Sequence, residues 1–153
     1  MKAAIMRDAK IIVDDMAMPV PSKGEVLVKT LACGICGSDL HALKHGHKMV
    51  QTSAETGGSF TMDLSKDIVM GHEFCAEILD HGPGTEHNFK VGTRICSFPM
   101  TVHNGEPSTV GYSNVVPGGY SQNMVLTESL LLAVPNGLAT QHAALTEPMA
   151  VGL

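Results

Sequence analysis

A chain of 153 residues with 44% hydrophobic and 16% charged residues has a globular composition and is long enough to bury a core of its own. Its formal net charge of -5 and the absence of any lysine or arginine run argue against a nucleic-acid-binding surface. Charges at Arg7, Asp8 and Lys10 interrupt the first segment, and no later window reaches 18 apolar residues, so we expect neither a signal peptide nor a membrane span. Four scattered cysteines do not make a disulfide scaffold, and we expect a soluble cytoplasmic protein with reduced thiols.

The first part of the chain predicts short strands joined by turns. The segments AAIM and KIIVDD flank a turn at Asp8 and Ala9 and predict a hairpin. A breaker-rich stretch, MPVPSKGE, follows, and EVLVKTLA then alternates between apolar and polar residues as a half-buried strand does. Residues 43–66 are polar and contain several glycines, and we interpret them as a long loop, which in a compact domain is more often functional than accidental.

The second part of the chain predicts further strands and one helix. IVMGHEFCAEILD, VGTRICSF, YSQNMVL and SLLLAVP have strand character, with a second long loop at 99–119. Residues 138–153 have helical spacing, interrupted by Pro148. Six or seven short strands with one clear helix favour a mainly β domain, a barrel or a sandwich, over residues 1–153. Without a G-x-G-x-x-G motif or alternating strands and helices, we expect no Rossmann fold in this chain.

The segment LACGICGSDLH, residues 31–41, concentrates side chains that can do chemistry. From spacing alone, Cys33 and Cys36 are compatible with a redox pair, a metal-linked pair or a structural turn. A redox pair requires a strand–helix–strand context that this β-rich pattern does not supply. A structural zinc site requires four closely spaced cysteines or histidines, and the chain has no second C-x-x-C.

Catalytic zinc sites usually take three protein ligands from cysteine, histidine and carboxylate, which leaves a position for water or substrate. The candidates in this chain are Cys33, Cys36, His41, His72, Glu73 and Glu147. Cys36 lies in a glycine-rich turn, His72 precedes a strand, and Glu147 precedes Pro148 in a pair biased away from helix. We therefore expect Cys36, His72 and Glu147 at corners where side chains can converge. Taken singly, His72 has the more ordinary interpretation of a hydrogen-bonded core residue, and Glu147 that of a surface charge.

Five segments of the chain carry a resemblance to one family. They are GICGSDLH at 34–41, GHEF at 71–74, VGTRI at 91–95, GGYSQNMVL at 118–126 and LTEPMAVGL at 145–153. In this order and spacing the chain resembles the N-terminal catalytic domain of the zinc-dependent medium-chain alcohol dehydrogenases. The resemblance covers essentially the whole chain and implies a GroES-like, partly open β-barrel with one or two short helices.

The resemblance also implies a set of zinc ligands. Cys36, His72 and Glu147 would hold one catalytic zinc. Glu73 would lie beside the metal, as an alternative ligand or as a carboxylate that supports the ligands. Asp39 would accept a hydrogen bond from the His72 ring and orient it. The loop at 97–119 contains no cysteine, so we expect no structural zinc.

The same resemblance implies roles in proton transfer and a cofactor. Ser38 would hydrogen-bond the substrate alcohol and His41 would take the proton at the solvent end, while Cys33 would only pack near the site. The alcohol carbon would pass a hydride to NAD or NADP. The Glu147–Pro148 pair mildly favours the branch of the family that acts on polyols and related alcohols.

Relatives of this kind continue into a Rossmann domain that binds the cofactor, whereas this chain stops at Leu153. We therefore expect a truncated or excised catalytic domain without turnover of its own, or one completed by a partner chain, and a homo-oligomer for the full-length enzyme. The alternative is a non-enzymatic GroES-like module that binds zinc or a partner chain. A thiol–disulfide protein that uses Cys33 and Cys36 is a third interpretation.

Overall fold

The domain is built from three antiparallel sheets in a computed structural model, which describes residues 1–152. The first sheet pairs β1 (Lys2–Arg7) with β2 (Lys10–Asp15), and the last pairs β6 (Met100–His103) with β7 (Glu106–Thr109). The central sheet contains β3 (Glu25–Cys33), β4 (Phe74–His81), β5 (Arg94–Ser97), β8 (Asn123–Thr127) and β9 (Leu131–Ala133), in the order β8-β3-β4-β5-β9. The helices are α1 (Gly37–Thr56), α2 (Thr140–Ala143) and α3 (Thr146–Val151), with a short 3₁₀ helix at Glu128–Leu130.

The predicted mainly β fold is confirmed, and the barrel is open. The central sheet ends at β8 on one side and β9 on the other, and these two strands do not pair with each other within residues 1–152. Its main core cluster is formed by side chains that are at most 5% exposed: Val26, Val28, Phe74, Ala76, Ile78, Ile95, Val110, Val116, Met124, Val125, Leu126 and Leu131. This apolar layer lets the domain bury a core without disulfides or a metal.

The predicted β1–β2 hairpin is confirmed by its register and its turn. Arg7 pairs with Lys10, so the turn consists of Asp8 and Ala9 alone. Both residues have positive φ, 51° and 56°, as a type I′ turn requires. This turn type matches the right-handed twist of two antiparallel strands, which is why such a short connection closes the hairpin.

The prediction of a long loop at 43–66 is wrong for its first half, because α1 continues to Thr56. The helix is kinked at His45, which has the non-helical angles φ -133° and ψ 25°, just before Gly46. A side chain at Gly46 would meet Leu64, so glycine here lets residues 60–66 pack against the helix. Apolar side chains of α1 join a buried cluster around Met62, and this tertiary packing stabilises a segment of modest helical propensity.

The second predicted loop, at 99–119, contains the β6–β7 hairpin. Its turn is Asn104–Gly105, and both residues have positive φ, 53° and 86°. Asn-Gly between two short extended segments is the strongest local signal for a hairpin, so the sequence carried this information and the prediction missed it.

Glu147 and Pro148 lie in a helix, contrary to the bias expected of a residue before proline. Both belong to the first turn of α3. The N–H groups of a first helical turn have no partner within the helix, so proline costs little there. None of the helices in the described part of the chain has the length and apolar character needed to cross a bilayer.

Candidate metal centre

Three side chains with metal-binding atoms meet where β3 and β4 come together. The sulfur of Cys36, a ring nitrogen of His72 and a carboxylate oxygen of Glu73 all lie within 4.8 Å of one another. Their proximity follows from strand register, because Cys33 at the end of β3 pairs with Phe74 at the start of β4. The residues just after β3 are thereby placed beside those just before β4.

This donor set fits a zinc ion. Thiolate, imidazole and carboxylate are its usual protein ligands, and three of them leave one position of a tetrahedral site open. His72 and Glu73 are buried and Cys36 is partly buried, which would limit water access to an ion held between them. The Nδ1 of His72 faces the Asp39 carboxylate at 3.5 Å, an arrangement that favours a proton on Nδ1 and leaves Nε2 for a metal.

Glycine at position 34 makes room for the Glu73 carboxylate. The Gly34 N–H donates to the Glu73 carbonyl at 2.7 Å and extends the β3–β4 pairing by one step. A Cβ on Gly34 would collide with Glu73 Oε2 and lie 3.2 Å from the Glu73 Cβ. The first glycine of the GICG segment is therefore required by the packing of a candidate ligand.

We expect Gly34→Ala to lower the affinity of the chain for zinc by about tenfold or more, because the added methyl group displaces the Glu73 carboxylate. The measurement is competition for zinc with a chromophoric chelator. Gly37→Ala is the matched control, since a Cβ at Gly37 has nothing within 4 Å. Equal zinc affinity of the two variants would contradict the assignment of Glu73 to the site.

Asp39 lies at the centre of a buried hydrogen-bond network beside the three clustered side chains. It is 2% exposed and belongs to the first turn of α1. Its Oδ2 accepts a hydrogen bond from the Tyr120 hydroxyl at 2.8 Å and from the Cys36 N–H at 3.1 Å. Its Oδ1 lies 2.9 Å from the Tyr112 hydroxyl and 3.5 Å from His72 Nδ1. Asp39 therefore contacts both Cys36, which follows β3, and His72, which precedes β4.

The network shifts the pKa values of Asp39 and His72 in opposite directions. Burial favours the neutral Asp39 carboxyl, but hydrogen bonds from His72, Tyr120 and Tyr112 outweigh it and hold the pKa of Asp39 below its usual value. Burial also disfavours the charged His72 ring, but Asp39 and Cys36 raise its pKa to about 9. In the metal-free chain the two residues therefore form an ion pair, and a metal must displace the His72 proton.

The structure places the remaining candidate residues apart from this cluster or at its edge. Ser38 lies in the first turn of α1, with its Oγ 2.8 Å from the Tyr112 hydroxyl. His41 is exposed, and its ring centroid is 5.0 Å from that of His45. Glu147 is not among the three clustered residues and lines a groove of about 450 Å³ beside β9.

Cys33, the first cysteine of the C-x-x-C segment, differs from Cys36 in its surroundings. All four cysteines are free thiols. Burial raises the pKa of the Cys33 thiol to about 12, so this thiol stays protonated near neutral pH. A protonated thiol is a poor nucleophile, and the packing role expected for Cys33 stays a prediction.

Tyr112 and Tyr120 are site residues that the sequence analysis missed. Both bond Asp39, from positions 73 and 81 residues away along the chain. Tyr120 falls within the GGYSQNMVL segment, but no local pattern indicates that its hydroxyl reaches α1. Only the packing of the long loop before β8 brings the two phenols to the site.

The comparisons with known proteins agree with this fold and these motifs. Residues 22–136 match the family model of the alcohol dehydrogenase GroES-like domain. The chain is 33% identical over 162 residues to (R,R)-butanediol dehydrogenase of Bacillus subtilis, covering 100% of this chain and 46% of that protein. It is 31% identical over 166 residues to sorbitol dehydrogenase of the same organism, covering 100% of this chain and 44% of that protein.

Two solved structures have the same fold over nearly the whole chain. The crystal structure of 2R,3R-butanediol dehydrogenase from Bacillus subtilis matches with a TM-score of 0.74 at 28% identity, covering 98% of this chain and 45% of that one. A putative zinc-binding dehydrogenase from Sinorhizobium meliloti, bound to NADP, matches with a TM-score of 0.75 at 25% identity, covering 97% and 42%. The chain spans less than half the length of these relatives. It belongs to the alcohol dehydrogenase GroES-like domain family, as the resemblance of its motifs predicts.

Proposed function

We propose that this chain is the zinc-binding catalytic domain of a cytoplasmic alcohol or polyol dehydrogenase that uses NAD or NADP. The observation that carries the proposal is the group formed by Cys36, His72 and Glu73, whose donor atoms lie within 4.8 Å of one another. Two of the relatives are a butanediol and a sorbitol dehydrogenase, which supports a substrate that carries hydroxyl groups.

Cys36 and His72 would hold the zinc, with a carboxylate as the third ligand. Glu73 is the carboxylate within the cluster, and Glu147 is the one that the motif resemblance favours. When bound, zinc supplies a Lewis acid that lowers the pKa of a substrate alcohol. Asp39 would keep the His72 ring oriented, since its carboxylate faces Nδ1 at 3.5 Å.

The proton of the alcohol would be received by Ser38, two residues after Cys36. His41, exposed on the same helix, would release a proton to solvent, although no hydrogen bond joins it to Ser38 within the described residues. We propose that NAD or NADP is bound by the part of the relatives that this chain does not cover, so the chain alone has no turnover. The full-length enzyme would be a homo-oligomer, with one catalytic zinc per subunit and no structural zinc.

The first test is the zinc content per chain of the wild type, Cys36→Ser and Cys33→Ser after reconstitution, measured by elemental analysis. We expect about one zinc in the wild type and in Cys33→Ser, and none in Cys36→Ser, because a lost thiolate ligand opens a three-ligand site. Equal loss in the two variants would make both cysteines ligands. A wild-type chain that retains no zinc would overturn the proposal.

A second pair of variants identifies the carboxylate ligand. Glu73→Gln and Glu147→Gln keep the side-chain size and remove the charge. On the observed geometry we expect the larger loss of zinc affinity in Glu73→Gln, because Glu73 already lies with Cys36 and His72. A larger loss in Glu147→Gln would assign the third position to Glu147.

A further inference from the structure

Cys75 and Cys96 face each other across two neighbouring strands. β4 and β5 are antiparallel and pair Ala76 with Ile95, so the next step of the same register sets Cys75 opposite Cys96. Residues directly opposite in an antiparallel pair have Cα atoms about 4.5–5.5 Å apart. A disulfide spans Cα separations of about 4.4–6.8 Å, so the register holds these two cysteines within bonding range.

The two thiols also lie on the same face of the sheet. The neighbouring pair, Ala76 and Ile95, belongs to the main core cluster, and side chains alternate between the two faces along a strand. Cys75 and Cys96 accordingly belong to a separate buried cluster, together with Ala143 at the end of α2. Both cysteines are free, at 0% and 5% exposure. The fold therefore encloses two thiols in one small cluster.

One of the two sulfurs is reached from a groove. Within residues 1–152, Cys96 lines the groove of about 450 Å³ beside β9, and Cys75 does not. The walls of this groove are largely apolar and include Phe98 and Leu132, which are 61% and 62% exposed. A small uncharged oxidant can enter such a groove without losing strong contacts with water, and it meets the Cys96 sulfur first.

The Cys96 thiol holds the C-terminal segment against the sheet. Its S–H donates to the Ala143 carbonyl at 3.0 Å, and the Thr146 hydroxyl donates to the same carbonyl at 2.7 Å. The sulfur of a disulfide carries no proton, so a bond to Cys75 would remove the donor from Ala143. The redox state of the pair thereby affects how firmly α2 and α3 are attached to β5.

We propose that Cys75 and Cys96 form an oxidation site, where hydrogen peroxide converts the two thiols into a cross-strand disulfide. The Cys96 sulfur attacks one peroxide oxygen, the O–O bond breaks, and a first water leaves a sulfenic acid on Cys96. The Cys75 sulfur then attacks the Cys96 sulfur and displaces its hydroxyl as a second water. The two thiols lose two electrons and two protons, and one peroxide is reduced to two waters. This reaction involves no metal and goes beyond the proposed function.

The test exposes the folded chain to hydrogen peroxide, blocks the remaining thiols with N-ethylmaleimide and maps the peptides by mass spectrometry. We expect one main linked pair, through Cys75 and Cys96, which dithiothreitol reverses. Added zinc should leave this linkage unchanged, so the result is independent of the proposed function. In Cys75→Ser we expect a sulfenic acid on Cys96 that dimedone traps, and in Cys96→Ser an unmodified Cys75.

The attachment of the C-terminal segment is followed by hydrogen exchange of the oxidised and the reduced chain. We expect the amides of residues 143–149 to exchange about fivefold faster after oxidation, the size of one hydrogen bond. A Cys33–Cys36 linkage as the main product, a Cys75–Cys96 linkage that forms only in urea, or no linked peptide would overturn the oxidation site. A disulfide that leaves the exchange of residues 143–149 unchanged would overturn the effect on α2 and α3.

Discussion

Asp39→Ala is expected to lower the free energy of unfolding by about 3 kcal/mol or more and to abolish stable zinc binding. The carboxylate is buried and faces two phenols, a backbone N–H and the His72 ring. Removing the charged partner from a buried network leaves the other polar groups buried without a hydrogen-bond or ion-pair partner, which costs about 3–5 kcal/mol. The expected loss is measured by urea denaturation of the metal-free chain and by zinc competition.

Tyr120→Phe is the matched control for Asp39→Ala, because it removes one hydrogen-bond donor to Asp39 and leaves the carboxylate in place. Its expected cost is about 1 kcal/mol, the usual net value of one hydrogen bond. If Asp39→Ala costs no more than Tyr120→Phe, the network does not act as one unit, and Asp39 is not the residue that orients His72.

Glu25→Ala is expected to lower the free energy of unfolding by about 3 kcal/mol and to release the β6–β7 hairpin from the central sheet. Glu25 lies at the start of β3 and is 0% exposed. Its Oε2 accepts from the Ser22 N–H and hydroxyl, both at 2.8 Å, and its Oε1 accepts from Thr101 Oγ1 at 2.9 Å. His103 Nδ1 is 2.9 Å from Oε2. Alanine removes the acceptor that these groups share and leaves the buried Thr101 hydroxyl with Thr127 as its remaining partner.

Hydrogen exchange measures which part of the domain is destabilised by Glu25→Ala. We expect the amides of β6 and β7 to lose protection first, because Thr101 and His103 belong to β6. Glu106→Ala is the control in the same hairpin, where an exposed side chain is expected to change stability by no more than about 0.5 kcal/mol. Similar losses of stability in the two variants would show that Glu25 does not hold the hairpin.

Much of the strand content could be predicted from the sequence, because it depends on neighbouring residues. The β1–β2 hairpin follows from two apolar segments around a two-residue turn, and alternation in EVLVKTLA predicts β3. The Asn104–Gly105 turn also depends only on neighbouring residues, so its hairpin could have been predicted in the same way. By contrast, α1 could not be predicted from its polar, glycine-bearing sequence, because packing against Met62 and its neighbours stabilises it.

The sequence by itself determined the family, through the order and spacing of its motifs, and it offered Cys36, His72, Glu73 and Glu147 as candidates for one zinc site, with Glu147 as the third ligand. Only the tertiary structure decided which side chains meet. The β3–β4 register brings Cys36, His72 and Glu73 together without Glu147, and their role as ligands stays a prediction.

The hydroxyls of Tyr112 and Tyr120 reach Asp39 from residues more than 70 positions away along the chain. A contact between residues so far apart along the chain produces no periodic pattern in the sequence. It depends on how the sheet and the long loop before β8 pack against α1, and that packing is a property of the folded domain as a whole.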